Sequence, residues 1–377
     1  MKNLFLAISC LSFTNLLNAQ CEGRYQTEIF SSVNVTTLNY SDVYNDIRHE
    51  MDIYTPNEDT VINRPVVIYI HGGGFTMGNK NSVDCVDFCE SFARRGYVAV
   101  SMNYRLSDYP TWMSSNKEQL ESIMLAVFDS KAAVRYLRKD FENGNNFGID
   151  TSTIFLGGYS AGGVTAIHHA YLDSISDLSD NLVDNDGTIF NMQSSVDNIG
   201  GIHGLEGDAG NYGYSSKISG VISFAAGIVQ TSFIDQYDEP LVSVHGTFDQ
   251  IVSYYCWPGF SDPSVITICG PGIIHPHADS VGIINDQLVF MGEGHFWPYD
   301  GNINPKFIEA VNFTNDFLYQ LLPCSNNILG NDHYNSKFNR NLIKTIDILG
   351  REQNVHKKGT ILFYVYDDGT VEKKIIP

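Results

Sequence analysis

The sequence predicts an α/β fold in which helices flank a mostly parallel central sheet, and three observations predict it. Apolar runs of strand length recur at Pro65 to Ile70, Tyr97 to Met102, Thr153 to Leu156, Gly220 to Phe224, Leu241 to His245 and Leu288 to Met291. They are apolar at nearly every position rather than at alternate ones, which suits strands covered on both faces. Segments with helical periodicity separate them, and such alternation places crossover helices over a parallel sheet. Finally, 377 residues with 43% hydrophobic content are enough to bury a large core, which fits one α/β domain of roughly 250 to 300 residues with small appendages.

Taken in order, Tyr25 to Tyr44 alternates weakly and reads as an edge strand with a turn, and Met51 to Pro56 as a strand entering the polar loop Asn57 to Arg64. Pro65 to Ile70 is a fully buried strand, Ser82 to Arg95 the first helix, and Tyr97 to Met102 the next strand. Glu118 to Phe141 carries Ile123, Ala126, Val127, Ala133, Val134 and Leu137 at helical spacing, so it reads as a long covering helix. Asp129 and Arg135 on it read as solvated charge. Ser174 to Ser216 is rich in Asp, Asn, Gly and Ser without sustained periodicity, the composition expected of a lid or substrate-shaping insertion. Within it Asp184-Asn185-Asp186-Gly187 reads as a polar turn, too poor in alternate ligands for a calcium loop. Ala278 to Ile284 is helix-like, and Pro305 to Leu322 forms the last helix.

The chemistry centres on Gly158-Tyr159-Ser160-Ala161-Gly162, between the strand Thr153 to Leu156 and helix-forming residues. A strand, Gly-x-Ser-x-Gly and a helix make a turn so tight that only glycine fits two residues either side of the serine, whose hydroxyl is left exposed. Ser160 is the candidate nucleophile. A serine hydroxyl needs a base, an orienting acid and donors for an oxyanion. About 90 residues upstream, the strand Pro65 to Ile70 ends in His71-Gly72-Gly73-Gly74, and the N–H groups of Gly73, Gly74 and Ala161 are assigned to an oxyanion hole. Asp249 and His295 each follow the end of an expected strand, where open α/β sheets place their sites. His275 and His277 rival His295 but lie before the last strand, and Asp235, Asp238 and Glu239 precede the strand that should present the acid. His168 and His169 point away from the turn and read as packing or surface residues, and His71 as an anchor for the glycine loop. Trp257, Trp297 and Tyr299, near the acid and base in sequence, read as walls of an aromatic acyl or sugar site or as core.

These residues resemble the α/β-hydrolase superfamily, and within it the carboxylesterases and lipases with an HGGG loop, over about Ile47 to Leu322. Hormone-sensitive-lipase relatives usually carry Asp where Tyr159 stands, so the likeness is nearer the carboxylesterases and bacterial xylan or feruloyl esterases. The resemblance implies the chain order Ser, Asp, His and a serine carboxylic-ester hydrolase working through an acyl-enzyme, with no cofactor and no metal. The expected substrates are neutral esters: acetyl or feruloyl groups on polysaccharides, lipids, or small esters. The alternatives are a serine peptidase of the same fold and a non-catalytic hydrolase-like binding protein.

The formal net charge of -20 disfavours nucleic acid and anionic membranes as partners. Met1 to Ala19 has the charged, apolar and small-residue regions of a secretory signal peptide, and no other stretch reaches the ~18 apolar residues of a membrane span. Beyond Cys10 in that leader, six cysteines are left, Cys21, Cys85, Cys89, Cys256, Cys269 and Cys324, an even number that permits disulfides in an exported protein. Cys256 with Cys269 and Cys21 with Cys324 are the candidate pairs, and Cys85 and Cys89 read as separate thiols. From Asn331 the chain turns basic and strand-forming, with Asp367-Asp368-Gly369 as a hairpin signal. This end resembles the C-terminal sorting domain of Bacteroidetes type IX secretion, which implies the secretion machinery as a partner. The expected organisation is a signal peptide over 1–19, a catalytic domain over 20–330 with its insertion at 174–216, and a sorting tail over 331–377.

Overall fold

Nearly uninterrupted apolar strands have to be covered on both faces, and the computed structural model shows how this chain covers them. It describes residues 23–323 and, beyond them, 342–347, 351, 353, 361–366 and 371–375; the expected leader and the pairing of Cys21 with Cys324 lie outside the described residues. In chain order the elements are β1 (Val33–Asn39), β2 (Glu50–Pro56), β3 (Arg64–Ile70), α1 (Val83–Arg94), β4 (Val98–Met102), α2 (Tyr109–Ser114), α3 (Asn116–Glu142), β5 (Ile149–Tyr159) and α4 (Ala161–Tyr171). Then follow β6 (Asn181–Val183), β7 (Ile189–Asn191), α5 (Met192–Gly200), β8 (Gly220–Phe224), β9 (Leu241–Gly246), β10 (Cys256–Pro258), β11 (Thr267–Cys269), α6 (Pro271–Val281), β12 (Asn285–Phe290) and α7 (Pro305–Gln320).

Eight strands form one sheet in the order β1-β2-β4-β3-β5-β8-β9-β12. The pairs β1–β2 and β2–β4 are antiparallel, and every pair from β4 to β12 is parallel. The chain leaves β3 towards β4 on one side and returns to β5 on the other. Between β3 and β5 the winding therefore reverses, and the crevice beyond the carboxyl ends of these two strands is where such sheets hold their sites. Successive side chains of β3 serve opposite faces. Val66, Ile68 and Ile70 join the buried cluster that includes Ile123, Val127 and Val134 of α3 and Val164 of α4. Tyr69 turns the other way and stacks on Phe88 of α1 at 4.2 Å.

Three expectations are corrected here. Asp129 and Arg135 are not solvated: neither is more than 1% exposed. The Asp129 carboxylate accepts from Arg105 N at 2.8 Å and Arg105 Nε at 2.9 Å, and Arg135 donates to Gly210 O and the Glu206 carboxylate. The physical reason is that residues 201–210 and the loop after β4 lie over this face of α3. The helix before β12 begins at Pro271, ahead of the expected Ala278, and β12 begins at Asn285, because the half-exposed edge strand opens with Asn-Asp-Gln. Residues 174–216 hold a β6–β7 hairpin and α5. At its turn Asp184 accepts from Ser115 Oγ and Asn116 N, both at 2.7 Å, which ties the hairpin to the start of α3. Among the described residues no group of three His, Cys, Asp or Glu is placed to hold a metal ion, and no helix is long and apolar enough to cross a membrane.

Cys256 and Cys269 form a disulfide across β10 and β11, and Cys85 and Cys89 are buried free thiols. The chain divides into two compact units, Met1–Leu322 and Pro323–Pro377. In the second, β13 (Leu342–Asp347), β14 (Ile361–Tyr366) and β15 (Val371–Ile375) form an antiparallel sheet; β14 and β15 pair as a hairpin around 367–370, which lie outside the described residues.

Asp84, in the first turn of α1, is 3% exposed, and burial pushes its carboxyl up to about 7. In the unfolded chain an aspartate titrates near ~3.9. The folded state therefore holds this proton more tightly, and its contribution to stability is lost as pH rises through 7. Asp84→Asn, which cannot ionise, is expected to gain about 2–3 kcal/mol on the wild type between pH 5 and pH 8.5, read from urea unfolding. A difference that is the same at both pH values would contradict this assignment.

Candidate active site

At the carboxyl end of β5 the chain must turn against β3 and start α4 within a few residues. A Cβ on Gly158 would lie 2.4 Å from the Ile70 carbonyl oxygen, and one on Gly162 would lie 2.0 Å from it, so both positions exclude any side chain. Ser160 itself takes φ 54 and ψ -121, a conformation that non-glycine residues occupy only under constraint. The constraint is visible: Ser160 N donates to Phe224 O of β8 at 2.8 Å, and Val164 N to Ser160 O at 2.9 Å. The side chain is thereby lifted out of both strand and helix.

The structure brings the three predicted side chains together. His295 Nε2 lies 2.9 Å from Ser160 Oγ, and His295 Nδ1 lies 2.7 Å from Asp249 Oδ2. Asp249 and His295 stand on adjacent loops beyond β9 and β12, joined by the bond from Phe248 N to Glu293 O at 2.8 Å. The other Asp249 oxygen accepts from Ile251 N at 2.8 Å and Val252 N at 2.9 Å. Burial alone would raise the Asp249 pKa, but the hydrogen bonds from His245 and His295 outweigh it and hold the carboxyl well below the usual carboxylate range. With an ionised acid at Nδ1, that nitrogen carries the imidazole proton and Nε2 offers its lone pair to Ser160.

His245 is the residue that the sequence reading passed over. Its Nε2 lies 2.8 Å from Val252 O and 3.3 Å from Asp249 Oδ2, so a second histidine faces the acid from β9. The available signal was its place at a strand end, four residues before Asp249. Tyr159 is a second support: its ring lies 5.2 Å from that of His295, and a Cβ on Gly72 would be 2.9 Å from it.

Gly74 and Ala161 share a cavity wall with Ser160. Gly73 stands just upstream at φ 124, where a Cβ would meet the Met77 carbonyl oxygen at 2.1 Å, so its glycine shapes the turn that presents Gly74. His71 anchors this loop through Nδ1 to Gly72 O at 2.7 Å and a stack on Tyr104 at 4.4 Å, and burial brings its pKa down to about 4.

The rival residues are engaged elsewhere. His275 Nδ1 bonds Asn285 Oδ1 and His277 Nε2 bonds Ile234 O. His168 and His169 are buried packing residues, bonded to Val164 O and to Ser130 Oγ and Ser216 O. Asp235 and Asp238 bond within their own loop, at the end of β9 away from the site. Trp297 is core, packed on Phe224 and Phe290, whereas Trp257 and Tyr299 are exposed.

If the serine conformation is imposed by the two close glycine contacts, glycine at position 160 should relieve it and alanine should not. Ser160→Gly is expected to be more stable than Ser160→Ala by about 1 kcal/mol in thermal or urea unfolding. An alanine variant at least as stable as the glycine variant would show that the backbone there is unstrained.

Comparison with known proteins bears on the fold and the family of the chain. A family model described as BD-FAE matches residues 51–256, more than half of the chain, a stretch that holds Ser160 and Asp249. A chlorogenic acid esterase from Aspergillus niger is 25% identical over 220 residues, 55% of this chain and 40% of that protein. The chain spans between 16% and 40% of the length of the curated relatives it matches. Among solved structures, a thermophilic esterase from Thermogutta terrifontis matches with a TM-score of 0.52 at 18% identity, over 80% of this chain and 96% of that one. A bifunctional GH43-CE protein from Bacteroides eggerthii matches with a TM-score of 0.53 at 17% identity, over 76% of this chain and 35% of that one. At these identities the structural likeness speaks for fold, which is that of the α/β hydrolases, and the family match places the chain: it belongs to the BD-FAE family.

Proposed function

We propose that this protein is a serine carboxylic-ester hydrolase. The observation that carries the reading is the unbroken hydrogen-bonded chain from Ser160 Oγ through His295 to an Asp249 held ionised. As Ser160 Oγ attacks the ester carbonyl, His295 Nε2 takes its proton, and the Asp249 carboxylate stabilises the imidazolium that forms. The carbonyl oxygen becomes an oxyanion beside the N–H groups of Gly74 and Ala161, with that of Gly73 as a third donor. His295 then returns the proton to the departing alcohol oxygen, leaving an acyl-serine. Water repeats the cycle with His295 as base, and the carboxylic acid and Ser160 are released.

The rim of the site supports a bulky, hydroxyl-bearing alcohol. Phe296 lies edge-on to His295 at 5.4 Å and is exposed, as are Tyr299 and Phe248, close in sequence to His295 and Asp249, and exposed aromatic faces offer stacking surface to sugar rings. The charge of -20 suits a neutral polymer better than an anionic one. Relatives named chlorogenic acid esterase and GH43-CE are consistent with such substrates. We place the protein outside the cytoplasm, on the composition of Met1 to Ala19 and on the Cys256–Cys269 disulfide, which persists best in an oxidising compartment. The basic, hairpin-forming tail is proposed as the address read by the secretion machinery.

Wild-type protein is expected to hydrolyse p-nitrophenyl acetate, and Ser160→Ala to lose about 10⁴-fold or more in kcat with an unchanged circular dichroism spectrum. Equal activity in the two proteins, or none in well-folded wild type on any ester, would contradict the reading.

A further inference from the structure

His245 stands behind the acid, on the side away from the base. It lies in the buried run of β9, 1% exposed, and its Nε2 faces two oxygens at once, Val252 O at 2.8 Å and Asp249 Oδ2 at 3.3 Å. A carbonyl oxygen only accepts, so Nε2 carries a proton and is the donor to both. His245 Nδ1 is buried without a hydrogen-bond partner among the described residues, so the ring acts through Nε2 alone.

That proton completes the support of the carboxylate. Asp249 Oδ1 accepts from Ile251 N at 2.8 Å and Val252 N at 2.9 Å, which fixes one oxygen within the turn. The other oxygen, Oδ2, is the one that meets His295 Nδ1 at 2.7 Å. Without His245 it would face that imidazole alone, and a buried charge deprived of a donor is costly. His245 also ties Val252, at the far end of the same turn, to β9, which sits between β8 and β12 in the sheet. The acid is thus referred to the sheet through one side chain.

The turn carries part of the cavity beside Ser160 as well. Ile251 and Val252 belong to the wall of that cavity and no residue of 174–216 does, which corrects the expectation that the insertion shapes it. Ile251 O accepts from Phe260 N at 2.8 Å. Phe260, at a left-handed φ of 56, lies edge-on to Trp112 at 6.0 Å, with its ring tip 3.5 Å from where a Cβ on Gly74 would stand.

Resting on the esterase reading, we infer that His245 is a positioning residue of the triad, whose Nε2–H holds Asp249 Oδ2 in line with His295 Nδ1. It acts only through the acid. The imidazolium of His295 forms as Ser160 attacks, so a misaligned acid slows the chemical step and leaves substrate binding unchanged.

The test measures kcat and KM for p-nitrophenyl acetate in the wild type, His245→Gln, His245→Asn and His245→Leu, with melting temperature as the control. The amide nitrogen of glutamine reaches the position of Nε2, that of asparagine falls short of it, and leucine has no donor. Loss of one hydrogen bond to a buried charge is expected to lower kcat about 10–100-fold in the asparagine and leucine variants, with KM changed less than about twofold. His245→Gln, which keeps the donor, is expected to stay within about fivefold of the wild-type kcat. If the leucine variant does not fold, the glutamine and asparagine pair, both polar amides, decides the question. Nitrogen NMR of the wild-type histidine rings is expected to show His245 protonated at Nε2, and a bare Nε2 would overturn the inference whatever the variants do. Equal kcat in the glutamine and asparagine variants, a loss confined to KM, or losses that follow melting temperature rather than the donor would also overturn it, while leaving a Ser160-dependent esterase in place. A folded wild type inert towards p-nitrophenyl acetate would instead overturn the esterase reading, and the role of His245 with it.

Discussion

The structure depends on one close approach. The turn after β5 lies against the Ile70 carbonyl oxygen at the end of β3, with no space for a Cβ at Gly158 or Gly162. Because β3 and β5 are neighbours at the point where the sheet reverses its winding, that contact sets the nucleophile beside the loop that begins one residue later at His71. Two candidate parts of the site, the hydroxyl and its oxyanion donors, are thus positioned by two neighbouring strands at the centre of the sheet. The left-handed serine is the local cost, held in place by bonds to β8 and α4.

The acid and the pocket wall come from one excursion of the chain, from the end of β9 to the start of α6. It supplies Asp249, whose two oxygens are fully engaged, and the apolar wall around Phe260. Its Gly246 has no room for a side chain because the Glu293 carbonyl oxygen would lie 2.3 Å from a Cβ, and Glu293 belongs to the loop that carries His295. The acid, the base and the pocket wall are therefore braced against one another. Rigidity of this kind suits a site whose donors must already face the charge that develops in the transition state.

The parts legible in the sequence were those with local causes. Gly-Tyr-Ser-Ala-Gly and His-Gly-Gly-Gly are read from steric need at single positions, and Asp249 and His295 from their places after apolar runs. What could not be read depended on contacts distant along the chain. Asp129 looked like a solvated helix charge because its partner, Arg105, lies on another element; His245 looked like one more residue of an apolar strand. Residues 174–216 looked like the wall of the pocket, but nothing in the composition of 256–269 reveals a phenylalanine held left-handed between Gly74 and Trp112. Similarly, Asn285 to Gln287 lack the apolar pattern of a strand because the sheet ends there, and Trp297 gave no sign that it packs into the core rather than around substrate.

The central claim is that His295 and Asp249 activate Ser160. The most direct measurement treats the folded protein with a fluorophosphonate and follows its intact mass, then locates the adduct by peptide mapping. The account predicts one adduct, on Ser160, formed at least about 100-fold more slowly in a folded His295→Ala variant, since the hydroxyl needs its base. Labelling at another residue, or a His295→Ala protein that reacts as fast as the wild type, would contradict it.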